Sequence, residues 1–172
     1  FAVADGVNAN SIAPLLSDYV NLGISGIDSA VKNALLGEIL DIKTTSDVNR
    51  YDKLAAIADA VDTVVQSTTG SVTTTQSQLE LLGILGIQTT NMPAIHNALA
   101  ATSDDASDIS DLDKLQALVN NTIIATNDAL LIITDAAENN TASPTTPTLD
   151  DYVAVGVSYM SSGNLASIND VL

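Results

Sequence analysis

A nine-residue segment that occurs three times constrains the fold of this chain more than any single residue does. The segment first appears at residues 19–27 as YVNLGISGI and returns at residues 79–87 as LELLGILGI and at residues 152–160 as YVAVGVSYM. The second copy begins 60 residues after the first, and the third begins 73 residues after the second. Repeats at this spacing indicate tandem units that bury their apolar faces against one another.

Each unit has the sequence pattern of three helices. A short first helix is predicted over residues 17–22, 75–82 and 149–155, and it ends at glycines suited to a left-handed cap. A second helix is predicted over residues 28–40, 90–101 and 162–172. A longer third helix is predicted over residues 47–66 and 110–138, where apolar residues recur every three or four positions. The sequence therefore predicts an all-α fold in which tandem three-helix repeat units form an elongated helical bundle.

Two connecting segments divide the chain. Residues 139–148 (NNTASPTTPT) contain two prolines and cannot be helical. The Thr-rich residues 67–75 form either an extended spacer or a partly helical bend. The predicted organisation is a tail of a preceding repeat (1–16), a first unit (17–74), a second unit (75–138), the Pro/Thr-rich linker (139–148) and the start of a truncated third unit (149–172).

Composition excludes several classes of function. The chain has 21 acidic and 5 basic residues and a net charge of -16, which argues against binding to nucleic acid or to anionic membrane surfaces. It has no cysteine, so a disulfide framework, a thiolate zinc site and a cysteine nucleophile are impossible. No apolar run approaches the ~18 residues of a membrane-spanning helix, so no membrane insertion is expected. With 3% aromatic residues, the core must be built from aliphatic side chains.

The densest acidic cluster lies between the predicted second and third helices of the second unit. Its members are Asp104, Asp105, Asp108, Asp111 and Asp113. Loops rich in carboxylate oxygens are what Ca²⁺ prefers, so the cluster is a candidate for a structural calcium site. The order of ligands in an EF-hand is absent, however, and the alternative is that these acids are solvated caps of nearby helices.

The sequence contains no recognisable catalytic site. His96 is the only histidine, and it is either a lone ligand or base or a partly exposed helix residue, since a general base needs an orienting partner and a nucleophile. Gly23 and Gly26 look superficially like a phosphate-binding loop, but their recurrence beside helix ends favours capping. Tyr19 and Tyr152 occupy equivalent positions, which favours packing over an aromatic sugar platform. We therefore expect no enzymatic activity, no catalytic residue and no cofactor other than the candidate calcium.

The third copy carries a family resemblance. Residues 148–158 (TLDDYVAVGVS), followed by residues 162–170 (SGNLASIND), resemble the helical repeats of very large adhesins that Gram-negative, often marine, bacteria export by type I secretion. Tyr159 and Met160 depart from the Gly-Val of that pattern, and the first two copies match it more loosely. The resemblance implies an all-helical module of a secreted, RTX-type cell-surface or biofilm protein, and it transfers no ligand-binding residue.

The expected function is a non-enzymatic structural or interaction module of such an adhesin, acting as an extender or adhesion repeat in surface attachment or biofilm. Its expected partners are neighbouring repeats of the same chain or other copies of itself, together with an unknown surface ligand. One alternative is a self-assembling secreted filament or surface-layer subunit, because open-ended repeats can also stack between chains. Another is a specific receptor-binding domain, which would need an exposed apolar or aromatic patch.

Overall fold

Every regular element is a helix in this computed structural model, which describes residues 14–138 and 145–172. The α-helices of the described residues are α1 (Leu16–Asn21), α2 (Ala30–Ile42), α3 (Thr45–Val48), α4 (Tyr51–Ser67), α5 (Gln76–Leu82), α6 (Met92–Ala100), α7 (Leu112–Glu138), α8 (Leu149–Ala154) and α9 (Ser162–Asn169). Short 3₁₀ helices cover Thr89–Asn91 and Ser107–Ile109. The predicted all-α class is confirmed. The predictions for residues 1–13 of the tail and 139–144 of the linker lie outside the described residues.

The predicted third helix of the first unit is interrupted. Its first turn is the separate helix α3, and α4 begins only at Tyr51. The break occurs at Arg50, whose backbone is extended with φ −137° and ψ 148°. Asp47 caps the N-terminus of α3, because its carboxylate accepts the backbone N–H of Thr44 at 2.8 Å. The apolar spacing continues across this break, so periodicity alone predicted one helix.

The Thr-rich connection between α4 and α5 is a turn rather than a further stretch of helix. Residues 68–70 form the turn, and Gly70 adopts a left-handed φ of 69°. Thr68 and Thr74 are both buried. The hydroxyl and the backbone N–H of Thr68 both donate to the carbonyl oxygen of Val65, at 2.9 and 3.3 Å, at the end of α4.

The core is aliphatic, as the composition requires. Its largest fully buried side chains are Tyr19, Leu35, Leu36, Ile39, Leu40, Ile57, Leu79, Leu82, Ile95, Leu99, Ile109 and Leu115. Full burial of one such side chain stabilises the fold by about 1.5–3 kcal/mol relative to exposure. These residues belong to one continuous cluster that runs from α1 to α7, so the first two sequence repeats share a core.

Helix contacts follow the order of the sequence repeats. In the predicted division into repeats, α1, α5 and α8 take the place of first helices, α2, α6 and α9 that of second helices, and α4 and α7 that of long third helices. Helix α4 packs against α2 and α5, and α7 packs against α6 and α8. Each long helix therefore contacts the second helix before it and the first helix after it.

Candidate functional site

The turn that ends each first helix has the same conformation in all three copies. Gly23, Gly83 and Gly156 are left-handed, with φ values of 76°, 93° and 81°. The next residue donates its backbone N–H to the carbonyl oxygen five positions earlier, at 2.9, 3.1 and 2.9 Å, in the pairs Ile24 to Tyr19, Ile84 to Leu79 and Val157 to Tyr152. This is the hydrogen bond of a Schellman cap, so the repeated glycine ends a helix.

The second glycine position is also left-handed in every copy. Gly26 and Gly86 have φ values of 87° and 82°, and Tyr159, at the equivalent place in the third copy, has φ 65°. A Cβ on Gly26 would lie 2.9 Å from the Oδ2 of Asp62, whereas the tyrosine is 97% exposed. The backbone shape is thus kept in the third copy although the residue type is not.

Each of the two long helices, α4 and α7, is joined by side-chain contacts to the first helix that follows it. At the α4–α5 joint, Leu82 is fully buried and the Nε2 of Gln78 donates to the Oγ1 of Thr63 at 3.1 Å. At the α7–α8 joint, the hydroxyl of Thr126 donates to the carbonyl oxygen of Ala154 at 2.7 Å. The two joints use the same pair of elements but different side-chain contacts.

His96 holds the connection that precedes α5. Its Nε2 lies 2.6 Å from the carbonyl oxygen of Thr74, and a carbonyl only accepts, so Nε2 carries the proton in this contact. At the equivalent place in the third copy, the Nδ2 of Asn169 donates to the carbonyl oxygen of Pro147 at 2.8 Å. The histidine therefore has a structural partner, and the asparagine that replaces it in the repeat makes the same kind of bond.

Each long helix also binds the turn of its own unit. In the first unit, the hydroxyl of Tyr51 donates to the carbonyl oxygen of Gly23 at 2.9 Å. In the second unit, the Nε2 of Gln116 donates to the carbonyl oxygen of Leu85 at 3.2 Å, and its Oε1 accepts the Leu85 N–H at 2.8 Å. Neither contact was predictable from the sequence, because the paired residues differ in type between the two units.

Lys32 forms an ion-pair cluster under the first turn. Its Nζ lies 2.7 Å from a carboxylate oxygen of Asp28 and 2.7 Å from one of Asp62, and its side chain is only 10% exposed. Burial alone would lower the pKa of Lys32, but the hydrogen bonds to the two carboxylates outweigh it and raise the pKa. The hydrogen bond to Lys32 in turn lowers the pKa of Asp28. The cluster fixes α2 against α4.

The acidic cluster of the second unit makes capping contacts. Asp108 accepts the backbone N–H and the hydroxyl of Ser103, both at 2.8 Å, and Asp105 accepts the N–H of Ser107 at 3.0 Å. Asp111 accepts the N–H of Lys114 at 2.8 Å in the first turn of α7. Backbone hydrogen bonds are the main reason that the pKa values of these three carboxyls are lowered.

The same carboxylates do not converge on a common point. In residues 14–138 and 145–172, no three His, Cys, Asp or Glu side chains form a group that could hold a metal ion. Among the five candidates, Asp105, Asp108 and Asp111 each bind a different backbone N–H group. The observed contacts match the capping interpretation, and a calcium site at Asp104, Asp105, Asp108, Asp111 and Asp113 stays a hypothesis.

Helix α7 is the one helix of the described residues that is long and apolar enough to cross a membrane. It has 27 residues, and the mean hydropathy of its 18-residue window is 1.3. The aliphatic stretches of α7 are separated by polar residues such as Asn127 and Asp128, which is why the search for an uninterrupted apolar run missed it. Length and composition alone do not place it in a bilayer; only 17% of that window is buried, and α7 packs against α6 and α8.

Comparison with known proteins gives no relative: no family model, no curated protein and no solved structure matches the chain. The basis for a function is therefore the geometry of the molecule itself. Its most distinctive features are the glycine turn, which occurs three times, and the joint between a long helix and the next first helix, which occurs twice.

Proposed function

We propose that this chain is a tandem helical-repeat module of a secreted bacterial cell-surface adhesin, where it acts as an extender or adhesion repeat in surface attachment or biofilm. The observation that carries the proposal is the joint between a long third helix and the next first helix, which occurs at α4–α5 and again at α7–α8. A joint that recurs along the chain lets length grow by addition of units, because each unit contacts only its neighbours.

The turns and the charge support the same role. Three turns of one backbone conformation give each unit the same exit direction from its first helix. A net charge of -16 keeps neighbouring molecules apart and favours solubility at a cell surface. We propose that the partners are neighbouring repeats and a surface ligand, without nucleic acid, membrane insertion or enzymatic chemistry.

Small-angle X-ray scattering on chains with one, two and three added copies of residues 75–147 tests the extender role. The maximum dimension should rise by a constant increment per added unit while the cross-sectional radius stays constant. A maximum dimension that grows only with the cube root of the mass would contradict an elongated arrangement.

Self-assembly into a filament or surface layer is the second candidate, and the apolar residues that α1 exposes favour it. Light scattering after size exclusion at several protein concentrations separates the two candidates. A module gives one mass at all concentrations, and a filament subunit gives masses that increase reversibly with concentration.

A further inference from the structure

Helix α1 exposes an apolar residue at a position that is buried in the next repeat. Leu22 directly follows α1 and is 44% exposed, whereas Leu82, at the equivalent position in α5, is 0% exposed. Helix α5 packs on the long helix α4, while no long helix of the described residues makes a comparable contact with α1.

Apart from this difference in exposure, the first helices and the turns that follow them have the same backbone arrangement in the three copies. The backbone N–H at the start of the helix is bound by the side chain three residues later in each copy, at 2.9, 2.9 and 2.7 Å, in the pairs Leu15 with Asp18, Thr75 with Gln78 and Thr148 with Asp151. The glycine caps at the other end also agree. Long helices pack on α5 and on α8, where Leu82 is fully buried and its equivalent Val155 is partly buried.

We propose that the face of α1 around Leu22 is the acceptor for the long third helix of another repeat unit, joined ahead of α1 in the same polypeptide. This inference rests on the proposed function, since it names the partner of the first unit in a row of repeats. Leu22 is buried in that joint, as Leu82 is buried where α5 packs on α4, and the new joint adds one more unit to the row.

A second copy of the chain cannot supply this helix without losing a joint of its own. Its α4 already carries α5, and its α7 already carries α8. The charge of -16 on each molecule also opposes close approach of two copies. An additional unit linked through a short connector, like residues 68–74 between α4 and α5, leaves the existing joints intact, and its high effective concentration offsets the charge repulsion.

Thiol labelling tests the proposal cleanly because the chain has no cysteine. Leu22→Cys is introduced into the original chain and into a duplicated chain, in which residues 1–74 are followed by residues 15–172. The duplication places α4 and its connector directly ahead of the second copy of α1. We expect the thiol in that second copy to react with a maleimide at least about tenfold more slowly than in the original chain, because it is reached only by local opening.

Two matched variants define the scale. Val20→Cys is the exposed control, because Val20 is 68% exposed and its equivalent Glu80 is exposed beside the α4–α5 joint. Its thiol should react fast in both chains. Leu82→Cys is the protected control, and its slow reaction in both chains shows that the neighbouring joint remains folded.

Equal reaction rates for Leu22→Cys in the original chain and in the second copy, with Leu82→Cys still protected, would overturn the proposal. So would a rate in the original chain that falls as the protein concentration rises, since a second copy would then be the occupant. X-ray scattering distinguishes failure of this proposal from failure of the extender role. A constant length increment without thiol protection rejects only the docking of α1. Thiol protection in a compact particle rejects the extender role.

Discussion

Replacement of Leu82 and Leu22 by alanine, one at a time, measures what the α4–α5 joint contributes. The two leucines occupy the same repeat position beside the same glycine turn, and they differ in exposure, 0% against 44%. Leu→Ala removes three carbon atoms, or about 2.4 kcal/mol of transfer free energy at about 0.8 kcal/mol per CH₂. Leu82→Ala also leaves a cavity, which brings its expected cost to about 3–4 kcal/mol.

For Leu22→Ala we expect a loss of only about 1.3 kcal/mol, since nearly half of the side chain is already in water and no closed cavity forms. The difference of about 2 kcal/mol corresponds to about 4–8 °C in Tm for a chain of this size. Urea unfolding followed by far-UV circular dichroism gives both free energies of unfolding, and equal m-values ensure a fair comparison. Losses that agree within about 0.5 kcal/mol would refute the reasoning, because burial at the joint would then contribute nothing measurable.

Four further predictions concern the turns, the ion-pair cluster, the acid limb of stability and calcium. Tyr159→Gly should raise the free energy of unfolding by about 1 kcal/mol, because it removes the strain of a left-handed non-glycine residue. Gly26→Ala should lower the free energy of unfolding by at least about 1 kcal/mol. Thermal denaturation measures both changes, and a stabilising Gly26→Ala would contradict the turn geometry. Lys32→Met should lower the free energy of unfolding by about 1–3 kcal/mol, because it leaves Asp62 partly buried and without its ion-pair partner. Arg50→Met, at an exposed ion pair, should lower it by under about 1 kcal/mol. Similar losses for the two variants in urea unfolding would show that the cluster does not stabilise the fold. The pKa values of Asp108 and Asp111 are lowered in the folded protein, so their contribution is present above the unfolded pKa of about 3.9 and is lost as the pH falls below it. Asp111→Asn should therefore weaken the dependence of Tm on pH between about 4 and 2, and an unchanged slope would show that this cap contributes nothing. Millimolar calcium should leave Tm equal to that in chelator if the acidic residues are caps, and a calcium-dependent rise in Tm that Asp108→Asn abolishes would establish a metal site instead.

The sequence predicted the helices well where glycine caps and apolar spacing agree. The first helices end within a residue or so of the predicted positions, because Gly23, Gly83 and Gly156 can adopt the left-handed cap without a steric penalty. The break before Tyr51 was missed because the apolar spacing runs through it, and the extended backbone at Arg50 leaves no trace in that spacing.

The tertiary contacts were harder to predict from the sequence. Lys32 and Asp62 are 30 positions apart, and only the packing of α2 on α4 brings them to 2.7 Å. The equivalence of His96 and Asn169 is visible in the repeat, but the shared acceptor is a backbone carbonyl, which has no sequence signature. The acidic cluster shows the same limit, since its density is evident in the sequence and its individual N–H partners are not.

The bonds made by His96 and Asn169 have a consequence for how further copies should be sought. What recurs before these first helices is an acceptor, the carbonyl oxygen of Thr74 or Pro147, and the donor is an imidazole in one copy and an amide in the other. The repeated feature is thus a backbone carbonyl oxygen that needs a hydrogen-bond donor, and side chains of different types can supply that donor. A search that scores the presence of a donor at this position would recognise members that a search for residue identity passes over.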